Sequence, residues 1–322
     1  MPFGKILVTG GTGFVGSKVV EACESAGFDV RSCSRSEGVD LRDGDALGRF
    51  LHRFSPDCIV HCAAHVGGIG YVRDHAVDVF EDNLAIATGL LRGMRDAGVG
   101  RLITVMPNCT YPGHKTLYRE DEWWDGPIHE SVLMYGLPRK VLWGLCKTYA
   151  TMTDLRSAHL IFPNMYGPGD HFEPVRSHAL GALVAKIVAA SKTGQTQVEI
   201  WGSGQPVREW MYVQDAADAV ARFVTHADQD ESVLDDHPIF NVGIAEGITI
   251  ADLAELIREA VGWDGSFLFN RDHADGAMRK LLDGTRFWEL TGWRPSTSLR
   301  DGIRQTVASY QEGVMREPSY AH

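Results

Sequence analysis

Short apolar runs alternate with stretches of helical spacing through the first half of the chain. "KILVTG" reads as an apolar strand running into "GTGFVG", after which "SKVVEACESAG" places Val19, Val20 and Cys23 at helical spacing and stops at Gly27. The unit then recurs. "FDVRSCS", "DCIVHCAA" and "RLITVMP" read as strands, and "DALGRFLHRF", "NLAIATGLLRGMRDAG" and "YGLPRKVLWGLCKTYATMT" as helices. Strands that alternate with helices predict an α/β fold, a doubly wound parallel sheet wrapped on both faces. From about Leu160 the pattern changes. Turn-rich "FPNMYGPGDHFEP" and "WGSGQPVREW" accompany a helix at "HALGALVAKIVAAS", and a last helix lies near "LRDGIRQTVASYQ". These imply a first domain over residues 1–160 and a smaller C-terminal α/β substrate-binding region over 161–322, with segments returning to the first domain and no flexible linker between.

A chain of 322 residues with 44% hydrophobic content can bury one large core or two modest ones. The formal net charge of -11 argues against a protein that coats nucleic-acid phosphates, while leaving room for a local basic pocket that takes a nucleotide. The six cysteines form no CxxC pair, and "MPFGKILVTGG" lacks the basic-then-apolar shape of a secretory signal, so reduced thiols and a cytoplasmic address are expected. No run of ~18 apolar residues exists, so no membrane span is predicted, and no metal is expected.

Gly10, Gly13 and Gly16 stand between the first strand and the first helix. Small residues there let the backbone approach a pyrophosphate, and the helix N-terminus stabilises its charge, which makes the sheet Rossmann-type. Phe14 and Val15 in the same turn, with Ala63 and Ala64 after the third strand, are expected on the dinucleotide. The end of the second strand normally reads the adenosine ribose, with an acid for two hydroxyls or arginine and serine for a 2'-phosphate. Here it carries Ser34 and Arg35 and no acid, which favours NADP over NAD, although Arg35 reads equally well as a solvated surface charge. Asp40 is placed to contact the adenine.

These residues resemble the extended short-chain dehydrogenase/reductase superfamily and, within it, the GDP-L-fucose synthase family. The resemblance covers nearly the whole chain through "HCAAHVGGIG", "NCTYP", "FPNMYGP", "SHALGALVAK", "WGSGQPVREW" and "DGAMRKLLDGTRF". GDP-mannose 3,5-epimerase is the second relative, sharing "GGIG" and "YGL". The resemblance implies a GDP-linked 4-keto sugar as substrate, NADP as cofactor and a homodimer to which the long helix from Tyr135 lends a face. It implies that Cys109 and His178 move protons at carbons next to the ketone, and that Tyr135 protonates the 4-oxygen when hydride arrives. Lys186, Trp201 and Arg208 fall where the family holds the nucleotide diphosphate, with Asn164 and Arg279 lining the same cleft.

The chemistry suits these residue types. A proton alpha to a ketone is acidic enough for a positioned side chain to remove, and a second group on the opposite face can return it and invert the carbon. A cysteine serves best as base beside a cationic or hydrogen-bonding neighbour, and a histidine carries protons near neutral pH. Outside such segments a lone cysteine is more often a small buried hydrophobe, and the other five cysteines are assigned to packing. Trp123 and Trp124 read as a lid over the sugar or an interface patch.

Two positions depart from the family. Pro107 stands where it has a serine that orients the ketone, and proline offers neither a side-chain donor nor an N–H. Arg139 stands where it has the lysine that lowers the tyrosine pKa, exchanging a compact ammonium for a planar fork. Lys140, about 100° further round the helix, should point away unless Pro138 re-aims it. Asn108 or Thr110 offers a substitute donor. Reduction therefore suffers more than epimerisation. Three readings follow: an epimerase/reductase in which Arg139 assists Tyr135, an epimerase with little or no reductase activity, and a catalytically silent nucleotide-sugar binding protein.

Overall fold

The computed structural model describes residues 3–173, 177–273 and 275–316. The alternating pattern condenses into β1 (Lys5–Thr9), α1 (Phe14–Ser25), β2 (Asp29–Cys33), α2 (Gly44–Phe54), β3 (Cys58–His61), α3 (Ile69–Asp74), α4 (Ala76–Ala97), β4 (Arg101–Pro107), β5 (Leu117–Tyr118), α5 (Leu133–Ala150) and β6 (Arg156–Phe162). The second half adds β7 (Asn164–Tyr166), α6 (Ala179–Thr193), β8 (Gln197–Trp201), β9 (Val207–Arg208), β10 (Trp210–Tyr212), α7 (Val213–Gln229), β11 (Ile239–Asn241), β12 (Ile248–Thr249), α8 (Ile250–Val261), β13 (Ser266–Asn270), β14 (Arg279–Leu282), α9 (Thr285–Thr291) and α10 (Leu299–Arg316).

Six strands pair in the order β11-β6-β4-β3-β1-β2, every pair parallel. Alternate strand residues feed two cores. Ile6, Val8, Val60, Ile103 and Val105 pack with α1 and α7, while Leu7, Ile59 and Leu102 pack with α2, α4 and α5. Burial on both faces is why these strands read as unbroken apolar runs. After β1 the chain turns to β2 on one side and then crosses to β3 on the other. That reversal opens a crevice beyond the carboxyl ends of β1 and β3, where open α/β sheets bind ligands.

One row of this sheet is polar. Thr9 pairs with His61, His61 with Thr104, and Thr104 with His159, so the four share a face across four strands and are fully buried. Thr9 Oγ1 lies 2.8 Å from His61 Nδ1, and Thr104 Oγ1 lies 2.8 Å from His159 Nδ1. The layer sits directly below the crevice.

The second region carries its own core, built from α6, α8, α10, β8 and β10. Its small sheet, β12-β9-β14-β5, takes β5 from the first half of the chain. In return β11, α7 and α9 complete the large sheet and its helical layer. Helices α7 and α8, not singled out in the sequence, each bury one apolar face.

Candidate active site

Gly10 adopts φ 71°, and an added Cβ would stand 2.8 Å from the Ala63 Cα. At Gly16 a Cβ would meet the Gly10 carbonyl at 2.1 Å. Strand, turn and helix are thus packed at backbone distance, leaving the N-terminus of α1 open to the crevice. A cleft of about 530 Å³ runs from this turn across the sheet edge. It is lined by all ten residues expected on the dinucleotide: Gly10, Gly13, Phe14, Val15, Gly16, Ser34, Arg35, Asp40, Ala63 and Ala64. Asp40 is held by Arg42, which also reaches Asp82 at 2.7 Å, so its carboxyl lies below the usual range. One acid escaped the sequence reading: the helical turn Arg35–Glu37 folds Glu37 back onto the Ser34 hydroxyl at 2.8 Å.

Tyr135, Arg139, Asn164 and His178 line the inner part of the same cleft. Arg139 is buried on the polar row. Nη2 donates to Val105 O at 2.7 Å and Nη1 to Ala63 O at 3.2 Å, while Nη1 also faces His61 Nε2 at 3.4 Å. A guanidinium has no acceptor, so Nε2 is the acceptor and the imidazole proton sits on Nδ1, toward Thr9. Burial, then Arg139 and His159, hold His61 neutral by pushing its pKa well down. Lys140 points away, as the helical angle requires: Nζ donates to Trp123 O and lies 4.8 and 4.4 Å from the Trp123 and Trp124 ring centres. Burial pushes its pKa down to about 8.

Cys109 sits in the helical turn Asn108–Thr110 that follows β4, and is 8% exposed. Burial pushes the thiol up to about 11, against the opposing pull of Lys280 and Arg139. Its charge in turn bears on Tyr135, whose hydroxyl burial pushes up to about 12. His178 stands at the N-cap position of α6 without a side-chain hydrogen bond to the helix, and burial, followed by His171, lowers its pKa. At neutral pH the thiol and phenol therefore hold their protons and the imidazole lacks its second one.

Two donors stood open beside Pro107. Thr110 is already engaged: its hydroxyl donates to Pro107 O at 2.9 Å and accepts from Trp123 Nε1 at 3.0 Å. Asn108 is not. It is 7% exposed, lines the cleft, and its Nδ2 is buried without a partner. Trp123 is thus neither lid nor interface patch but a buried support under the Cys109 turn, while Trp124 is 57% exposed.

Arg279, expected in the cleft, is solvent-exposed. Strand alternation turns the next residue inward instead: Lys280 pairs with Arg208 across β14 and β9 and lies within electrostatic reach of Cys109. Burial lowers the pKa of both cations. Farther out, Asp275 binds the Ser203 N–H and hydroxyl and bears on Arg208. Trp201, 62% exposed, stacks on His273 at 4.2 Å with Lys186 Nζ 5.4 Å from its ring. Asn164 Nδ2 donates to Glu209 O at 3.2 Å. Asp170 was also missed. It lines the cleft at 8% exposure, its Oδ2 has no partner, and burial pushes its carboxyl up to about 7. Among the described residues no cluster of three or more His, Cys, Asp or Glu is placed to hold a metal.

A glycine-turned crevice, a half-buried tyrosine lining it with a cation four residues on, and residues of a second region along the same cleft define a dinucleotide-dependent enzyme of the extended short-chain type. The chain belongs to the NAD dependent epimerase/dehydratase family, whose profile matches residues 6–243. It is 31% identical to GDP-L-fucose synthase of Azorhizobium caulinodans over 310 residues, covering 96% of this chain and 97% of that protein. The fold superposes on a GDP-6-OMe-4-keto-L-xylo-heptose reductase of Campylobacter jejuni with TM-score 0.86 at 23% identity, covering 97% and 98% of the two chains. A GDP-L-fucose synthetase of Naegleria fowleri bound to NADP gives TM-score 0.83 at 26% identity, covering 97% and 94%.

Proposed function

We propose that the protein epimerises a GDP-linked 4-keto sugar, a 6-deoxyhexose or heptose, at C3, C5 or both and reduces it at C4 with NADPH. The observation that carries this is the position of Cys109. It lies within electrostatic reach of Tyr135 and Arg139 on the dinucleotide side and of Lys280, itself beside Arg208, on the other. In this arrangement Trp201 and Lys186 take the base, Arg208 and Lys280 the diphosphate, and the sugar ring falls between Cys109 and His178.

The resting protonation states set the direction of transfer. The neutral imidazole of His178 takes a proton alpha to the ketone, and the protonated thiol of Cys109 returns one from the other face. Charge that develops on the keto oxygen needs a donor, and the partnerless Nδ2 of Asn108 supplies it where Pro107 cannot. NADPH held along the Gly10–Gly16 turn would supply the hydride for C4, and Tyr135, protonated at neutral pH, gives the oxygen its proton.

One feature favours an epimerase with little reductase activity. Arg139 is committed to Ala63 O, Val105 O and His61, so its charge is anchored in the floor of the cleft. Incubation with a GDP-4-keto-6-deoxy sugar in deuterated water separates the readings. Deuterium at C3 or C5 with loss of reduced-nicotinamide absorbance supports the full reaction, and deuterium alone supports the epimerase. Binding with neither signal leaves a silent nucleotide-sugar binding protein. A Cys109→Ser variant that exchanges as fast as the parent defeats the proton-carrier assignment. A homodimer through the outer faces of α4 and α5, where Val77 and Leu133 are exposed, belongs to the same proposal and is read by sedimentation. Among the described residues no helix is long and apolar enough to cross a membrane.

A further inference from the structure

The adenosine corner of the cleft carries a hydroxyl network whose proton directions can be counted. Ser32 Oγ lies 2.5 Å from one Glu37 carboxylate oxygen and Ser34 Oγ 2.8 Å from the other. A carboxylate only accepts, and each hydroxyl has one proton, so both serines give theirs to Glu37. Ser34 Oγ is also 2.9 Å from Ser36 Oγ, which must then be the donor of that pair. Ser36 Oγ stands 3.1 Å from Thr12 Oγ1, so the Thr12 proton goes to Ser36. The chain runs Thr12 to Ser36 to Ser34 to Glu37, every proton pointing toward the carboxylate.

Thr12, Ser34 and Ser36 line the cleft. With their protons committed, they turn lone pairs toward a bound ribose. A 2'-hydroxyl is a donor and satisfies them. A 2'-phosphate carries about -1.5 to -2 charge at neutral pH and needs donors, so it finds the wrong polarity with a carboxylate behind it. Arg35, on the same corner, works in the opposite sense.

We propose that Glu37 sets the cofactor selectivity of this chain: by orienting the Ser34–Ser36–Thr12 hydroxyls it holds down affinity for the 2'-phosphate, so that NAD(H) competes with NADP(H). The backbone builds the device. Gly38 closes the turn at φ 84° with its N–H on Arg35 O at 3.1 Å, and Val39 N–H returns to Ser34 O at 3.0 Å, which brings Glu37 over the strand end. A sequence reading confined to the strand terminus does not see this residue.

The inference rests on the dinucleotide reading of the cleft and is independent of the sugar substrate. Its test is direct binding of NAD+ and NADP+ to the full chain by calorimetry, for the parent, Glu37→Ala and Glu37→Gln. Freeing the hydroxyls to donate should raise the ratio Kd(NAD+)/Kd(NADP+) by about tenfold in Glu37→Ala, and Glu37→Gln should move it the same way, since one hydrogen-bond polarity is worth about that factor. A purely structural role weakens both dinucleotides alike and leaves the ratio in place. A ratio within about twofold of the parent in both variants overturns the proposal, because such a change is below the worth of one hydrogen bond. If the parent binds neither dinucleotide, the reading of the cleft itself fails, which is a different result.

Discussion

Among the described residues, three side chains lining the cleft hold a polar atom that the fold itself leaves without a partner, Arg139 Nε, Asn108 Nδ2 and Asp170 Oδ2, and the last two each make a prediction. The Asn108 Nδ2 is a buried donor, a state that costs about 1–3 kcal/mol and persists where a ligand completes it. Asn108→Ala should slow both isotope exchange and C4 reduction by roughly 10²–10³, the worth of one preorganised donor to a developing oxyanion. NADP+ affinity, measured beside it, should stay unchanged. Asp170 works through pH. Its carboxyl, pushed up to about 7, stays protonated in the fold over a range where the unfolded chain ionises it above about 3.9. The folded state then binds more protons, so this group's stabilisation is full at low pH and is lost as pH rises through about 7. Asp170→Asn should therefore be more stable than the parent at pH 8, by at most about 4 kcal/mol, with the gap closing toward pH 5. Thermal melts at the two pH values check it.

At the scale of elements, the first turn of α5 and the turn after β4 meet beside the cleft, to which they contribute Tyr135 and Asn108. Gly136 is the contact between them: a Cβ there would stand 2.7 Å from the Cys109 carbonyl. Gly136→Ala should push the Cys109 turn off the helix while leaving the glycine turn untouched. Deuterium exchange should fall by roughly 10²-fold, the cost of about 1 Å of misplacement, with dinucleotide binding retained. Equal loss of both would show that α5 is positioned differently. The same helix explains why an arginine is tolerated beside Tyr135. Its long fork reaches the buried polar row and two strand-end carbonyls, which gives its charge a fixed seat.

For the molecule as a whole, Glu209 ties the two regions together. It is fully buried between β9 and β10, and its carboxylate accepts from Leu282 N at 2.7 Å and Ile244 N at 2.5 Å. Ile244 follows β11 of the large sheet, and Leu282 ends β14 of the small one. Glu209→Ala leaves one buried and one half-buried N–H unpaired and should lower the unfolding free energy by about 1–4 kcal/mol in denaturant titration. Arg208 is its neighbour, so GDP affinity should fall with it. Retained GDP binding in the destabilised variant would argue that the nucleotide end does not depend on this tie.

The parallel sheet, the glycine turn and the residues that line the outer cleft were legible in the sequence, because they rest on local periodicity and on residues a few positions apart. The family segments also marked Cys109, Tyr135, His178 and Arg208. What lay beyond reach depended on groups brought together from distant strands. Lys280 rather than Arg279 turns toward Cys109 and Arg208 because of strand alternation, and Arg139 is seated by the Val105 carbonyl of β4, the Ala63 carbonyl just past β3 and a histidine that cross-strand register places beside it. Glu37 reaches Ser34 only because a turn closes in space. Periodicity along the chain determined which faces are apolar and hence the layers. The direction of individual side chains, and the burial that sets their protonation, were decided by packing between segments that the sequence keeps far apart.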